Sequence, residues 1–257
     1  MLKQAQTYAL IGILFCQILG LYTSCTSPSN QNNPTTTTTA PANNTPQPAT
    51  NSETTPPAPS NNLISCNGID QVNLTDTEAD IIRKYGQANV TRDTLYAEGM
   101  PVTIGTYVLR DTPREIQIIW EGIDKPGQDM LIPNFNKISS LVAKHEKSPY
   151  KTANGIQIGV TTVQDLQKLN GGVPLGFSGF GWDYGGSCCN FKGGAFEKEM
   201  PCIGFQLTYD EGGKPLSDKE MNAIMGDQEV LSDNKVLTKL RAYVLEISVH
   251  NKYPETK

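Results

Sequence analysis

The chain has 257 residues, 37% hydrophobic and 18% charged, with a net charge of −5. Without a Lys/Arg surplus it is not built to neutralise nucleic-acid phosphates. With one long apolar stretch, residues 8–21, it is not a polytopic membrane protein.

That stretch, YALIGILFCQILGL, follows Lys3 and gives way at once to polar sequence, the layout of a signal peptide over 1–24. It ends in Leu21-Tyr22-Thr23-Ser24-Cys25. A small residue directly before a Cys resembles the bacterial lipobox. The resemblance implies that Cys25 is the acylated first residue of a lipoprotein, with Tyr22 where a Leu usually stands. Residues 25–62 are rich in Pro, Thr and Asn, carry Glu53 as their one charge, and hold no aromatic residue. Such a segment cannot bury enough apolar area to offset its ordering entropy and reads as a disordered tether. Fully extended, it spans at most roughly 115 Å.

Lys3 and Glu53 are the only charges outside residues 63–257, so the domain also carries −5. Thr75 to Tyr85 reads as a helix capped by Thr75 or Asp76 and stopped by Gly86. Gly105–Arg110 and Glu115–Trp120 read as strands around a turn at 111–114, and Lys137–His145 as a third. Thr161–Leu169 reads as a second helix, capped by Thr161 or Thr162. Ile203–Tyr209 is a strand and Ser217–Met225 a helix with the capping-box spacing Ser217…Glu220. Ala242–His250 is a last strand, with Tyr243, Leu245, Ile247 and Val249 as its inward side. Laying Leu74, Ala79, Ile82 and Tyr85 over Ile158, Val163, Leu166 and Leu169 suggests two related halves, about 63–150 and 151–257. The expected fold class is α+β, each half a helix packed on an antiparallel sheet.

Three runs, Gly155–Thr161, Leu166–Gly171 and Gly179–Gly186, together resemble a signature (GIxIG…LxxLNG…GFGWDYGG) of secreted proteins and lipoproteins of Bacteroidota. Tyr85-Gly86, Glu98-Gly99 and Glu115–Trp120 fit the same pattern. The resemblance implies a periplasmic or cell-surface location and assigns no activity. The helix-then-strands layout is also similar, at fold level, to the tandem halves of β-lactamase inhibitor proteins.

Cys66, Cys188, Cys189 and Cys202, an even number in an exported domain, suggest disulfides. Adjacent cysteines on a strand point to opposite faces, so Cys188 and Cys189 need different partners. The expected pairing is Cys189–Cys202 with Cys66–Cys188, or its reverse. Gly176–Gly186 contains Phe177, Phe180, Trp182 and Tyr184. As a strand it would set Phe180, Trp182 and Tyr184 on one face and Asp183 on the other. That row is either core or an exposed platform on which Asp183 anchors a partner. His145 and His250 lie near strand ends, and Glu98, Glu115, Glu121, Asp124 and Asp129 show no spacing that marks a pair.

No cofactor, metal or catalytic set is read from the chain. The leading expectation is a lipid-anchored envelope protein that binds an envelope protein or glycan through Phe180, Trp182, Asp183 and Tyr184. The alternatives are a hydrolase of envelope glycans or peptides, using Asp183 and a glutamate, and an inhibitor of a secreted hydrolase.

Overall fold

A computed structural model describes residues 60–182, 184–210 and 215–251, except the side chain of Cys189. The signal peptide, Cys25 and most of the tether lie outside the described residues, as does Asp183. No helix among the described residues is long and apolar enough to cross a membrane.

The described residues form an α+β fold that is mostly sheet. Three short strands open it: β1 (Leu63–Ser65), β2 (Gly68–Ile69) and β3 (Val72–Asn73). Helix α1 (Glu78–Tyr85) leads into β4 (Val90–Ala97), β5 (Met100–Val108), β6 (Ile116–Ile123) and β7 (Ile132–Ala143). After β8 (Lys151–Thr152) comes α2 (Val163–Leu169). Then follow β9 (Gly176–Ser178), β10 (Ser187–Asn190), α3 (Phe196–Glu199), β11 (Ile203–Asp210), α4 (Asp218–Asn222), β12 (Glu229–Leu231) and β13 (Arg241–His250). The large sheet runs β12-β9-β10-β11-β13-β7-β6-β5-β4, wholly antiparallel. The small one runs β3-β2-β1-β8.

Both principal helices begin with the same device. Thr77 accepts from the Asp80 amide while Asp80 accepts from the Thr77 amide, and Thr162 and Asp165 do likewise. The cap of α1 is therefore Thr77, not Thr75 or Asp76, because Asp76 is taken up by the Asn73 amide and the Lys84 ammonium. Aligning the caps shifts the helix register by one residue from the apolar match, in which exposed Ala79 would fall on buried Val163. In the capped register Glu78 and Val163, Ile81 and Leu166, and Tyr85 and Asn170 are buried at equivalent places.

Helix α1 packs over β4 and α2 over β13. Glu78, in the first turn of α1, accepts from Arg92 Nε (2.8 Å) and Thr106 Oγ1 (2.9 Å). The Trp120 indole then donates to Thr106 Oγ1 at 2.9 Å, so the buried indole N–H is satisfied as well. Asn170, fully buried at the end of α2, donates to the Val173 and Phe191 carbonyls and accepts from the Phe196 amide. The Asn-Gly of the Leu166–Gly171 run is thus a structural junction.

Strand β4 falls outside the expected elements, since only Val90 and Leu95 of its residues are buried and no alternation announces it. In β13 the inward residues are Ala242, Val244, Ile247 and Val249, whereas Tyr243 is half-buried and Leu245 exposed. The cause is a bulge. Gln206 pairs with Glu246 and Leu207 with Val244, so Leu245 is the extra residue and the phase flips across it.

Cys66 bonds to Cys202, with Cα atoms 5.5 Å apart, which corrects both expected pairings. Cys188 is disulfide-bonded as well, so it does not supply the partner of Cys66. Strand adjacency pointed to Cys188 or Cys189, but Cys202 lies just before β11 and reaches the end of β1. The Cys66–Cys202 bond is compatible with an extracytoplasmic location.

Candidate functional site

The Gly-rich segment is not a continuous strand. Strand β9 ends at Ser178, and the segment 224–228 then clamps the chain: Gly179 N donates to Gln228 O, Phe180 N to Ile224 O and Gly226 N to Phe180 O. A Cβ on Gly179 would lie 2.5 Å from the Gly226 carbonyl oxygen, so only glycine permits this approach. Gly181 turns the chain with φ +100°, and two tight turns follow, closed by Gly185 N to Trp182 O and Ser187 N to Tyr184 O.

The expected common face of Phe180, Trp182 and Tyr184 therefore does not form. Phe180 is buried against Phe177 and Tyr209, with ring centroids 5.5 and 4.9 Å away. Trp182 is 58% exposed and Tyr184 42% exposed. One aromatic is core and two are surface, because the turns break the alternation that a strand would impose. Tyr184 is oriented by Asp227, to which its hydroxyl donates at 2.5 Å, and that bond, made to the neutral phenol, raises the Tyr184 pKa. The clamp on 179–180 is what brings Asp227 to this place.

A second element reaches the same spot. The tip of the β4–β5 hairpin is Ala97-Glu98-Gly99-Met100, with φ +51° at Glu98 and +74° at Gly99. Positive φ at both central residues is the requirement of a type I′ turn, whose twist matches the paired strands. The hairpin lies at one end of the strand order and β9 and β10 lie near the other, yet the hairpin tip meets the Gly-rich turns. Two adjoining depressions lie between them, of about 490 and 530 Å³. Tyr96, Ala97, Glu98 and Tyr184 line one, and Glu98, Gly99, Gly181, Trp182, Tyr184 and Asp227 the other.

The site thus joins three exposed aromatics and two exposed carboxylates from distant parts of the chain. Trp182 and Tyr184 belong to the stretch that composition singles out. Tyr96 and Asp227 do not stand out in the sequence, although Glu98-Gly99 between two strands is a readable hairpin signal. Of the five carboxylates weighed from sequence, only Glu98 lines the depressions. Glu121 pairs with Lys137, and Glu115 accepts from the Asp111 amide. Neither histidine lines the depressions: His145 Nδ1 accepts from the Lys147 amide, and His250 contacts Ser248 Oγ at 2.9 Å. Among the described residues no group of His, Cys, Asp and Glu is placed to hold a metal ion.

No protein-family model, curated protein or solved structure matches the chain.

Proposed function

We propose that this is a lipid-anchored protein of the bacterial envelope whose domain binds another envelope macromolecule, without catalysis, through the depression between the β4–β5 hairpin and the Gly-rich turns. The observation that carries this reading is the convergence of Tyr96, Trp182 and Tyr184, at 67%, 58% and 42% exposure, on one concave surface. Soluble domains seldom leave such rings together at the surface unless a partner covers them. Asp183, the remaining residue of the expected binding set, lies outside the described residues.

The anchor is acylated Cys25, and residues 26–62 hold the domain away from an outer-membrane leaflet, facing the periplasm or the cell surface. The Cys66–Cys202 bond suits such a compartment. Two related halves account for the layout: each places a capped helix before a run of antiparallel strands, β4-β5-β6-β7 and β9-β10-β11-β13, and their last strands pair at the centre of the sheet. On this reading the recognition surface is made by both halves together.

A photo-crosslinkable residue in place of Trp182, in the full chain in its own cells, tests the site. Val160, 59% exposed and away from the depressions, is the control position. An envelope component captured from position 182 and not from 160 is the expected result. The same products from both positions, or none from 182, would overturn the assignment. Loss of acyl labelling and of membrane association in Cys25→Ser tests the anchor.

A further inference from the structure

Three times among the described residues a carboxylate, an arginine and an aromatic ring form one unit. Arg92 pairs with Glu78 while its guanidinium lies 3.8 Å from the Phe135 ring centroid. Arg110 pairs with Asp93 and lies 4.8 Å from the Tyr107 centroid. Arg241 pairs with Asp210 and lies 4.5 Å from the Tyr243 centroid. The depression presents two parts of the same unit, the carboxylates of Glu98 and Asp227 and the rings of Tyr96, Trp182 and Tyr184, with no Lys or Arg among the described residues of its lining. Among the described residues neither of these carboxylates has an ion-pair partner.

We propose that the depression receives an arginine side chain presented by a partner protein. This rests on the depression being the recognition site. An anion is repelled by both carboxylates, and a neutral group that displaces their water leaves two charges uncompensated. A cation neutralises them and is attracted to the ring faces. Between the two basic side chains, the guanidinium is planar and weakly hydrated, stacks on aromatic rings, and binds carboxylates through a fork of N–H donors. An ammonium is compact and strongly hydrated, and gains less from three broad rings. Tyr184, its hydroxyl already donating to Asp227, offers its ring as a positioned wall. Arginine, tyrosine and tryptophan are also the side chains that most often carry binding energy at protein interfaces.

The chain carries its own reporter. Of its two tryptophans, Trp182 lines the depression and Trp120 is buried, its indole donating to Thr106 at 2.9 Å. The two indole N–H signals of the oxidised, ¹⁵N-labelled full chain are followed during titration with acetyl-Gly-Gly-Arg-Gly-Gly-amide. Matched peptides carry citrulline, which keeps the shape and removes the charge, or lysine. The expected result is a saturable shift of the Trp182 signal alone, about tenfold weaker affinity for the citrulline peptide, and intermediate affinity for lysine. Glu98→Gln with Asp227→Asn should weaken the arginine peptide by a similar factor and leave the Trp120 signal in place. Equal affinity for arginine and citrulline overturns the proposal, as does a Trp182 response to a neutral chito-oligosaccharide and not to the arginine peptide. In both outcomes the depression is still a binding site. No response of Trp182 to any probe also overturns the arginine assignment, and crosslinking from position 182 then decides separately whether the site itself stands.

Discussion

Two tyrosine–aspartate pairs occur among the described residues, and their surroundings give them opposite roles. Tyr85 donates to Asp70 at 3.2 Å inside a closed corner where the Asp70 side chain has no solvent exposure. Ser60 Oγ, the Asn61 amide and Arg114 Nη2 also donate to that carboxylate, at 2.8, 3.0 and 2.8 Å, and Tyr150 bonds the Arg114 carbonyl. The group ties the point where the tether enters to α1, to the β5–β6 loop and to β8. Tyr184 and Asp227 form the other pair, at the surface, with no further donor to that carboxylate among the described residues and a depression beside it. The same two residue types stabilise the fold in one place and remain available in the other. What separates them is how many neighbouring donors the chain brings to the carboxylate.

The largest expected effect lies outside both pairs, in the β1–β2 turn. Cys66→Ser with Cys202→Ser removes a link that closes a loop of sequence separation 136. It should cost about 4 kcal/mol, read as a fall in the urea midpoint of the oxidised protein. The open pair does not depend on the Cys66–Cys202 bond, so this double variant should leave the Trp182 environment unchanged at temperatures where the domain stays folded.

Asp70→Asn comes next, at about 3 kcal/mol, because it leaves the Arg114 guanidinium without its carboxylate. Asp227→Asn should cost less than about 0.5 kcal/mol, since its partners are solvated. If the two substitutions cost the same in chemical denaturation, the distinction between closed and open pair is wrong. A pH series sharpens the test. Burial pushes the Asp70 pKa up, but the bonds from Ser60, Arg114 and Asn61 outweigh it and hold the carboxyl below its ordinary 3.8. A depressed folded pKa contributes stability in full above the unfolded value, lost as pH falls through the folded one. Between neutral pH and 3.8 the wild type should therefore exceed Asp70→Asn by a nearly constant margin, which shrinks below 3.8. A margin that grows on acidification would contradict the arrangement.

Asp80 gives a local version of that test at the start of α1. The Thr77 hydroxyl and amide, with Arg83, lower its pKa to about 2. The capping box should persist above pH 3.8 and open as pH falls towards about 2, seen as loss of the Asp80 amide shift by NMR. The same box at Thr162 and Asp165 should follow it, as the Asp165 pKa is also lowered, first by the Thr162 hydroxyl.

How much of this was legible beforehand follows from the range of each interaction. Both helices, the capping box at Ser217, and strands β5, β6, β7, β11 and β13 are written in neighbouring residues, and local pattern found them within a few positions. Strand β4 was missed because its stability comes from pairing with β5 along its whole length rather than from its own alternation. The inward side of β13 was misread because a single bulge opposite Gln206 reverses the phase, and nothing local marks it. The Gly-rich segment announced its aromatics but not their division into core and surface, since that depends on the clamp supplied by residues 224–228. Glu98 and Trp182 line one depression although they come from opposite ends of the strand order, a juxtaposition no window of sequence contains.

Glu98 offers the finest test of the open site. A type I′ turn favours asparagine or glycine at its first central position, and a glutamate held at φ +51° is strained there. The fold would be served better by an asparagine at this position, so the glutamate is best accounted for by what its carboxylate does at the depression. Glu98→Asn should raise stability by about 0.5 kcal/mol while weakening the arginine peptide about as much as Glu98→Gln. The glutamine variant keeps the strain and removes the charge, whereas the asparagine variant removes both, so the two separate backbone from chemistry. If Glu98→Asn is more stable and binds undiminished, the carboxylate is incidental and recognition rests on the rings alone. If both variants lose the peptide and only Glu98→Asn gains stability, the turn has exchanged a fraction of a kilocalorie for a charge at the mouth of the site, the reverse of the choice made at Asp70.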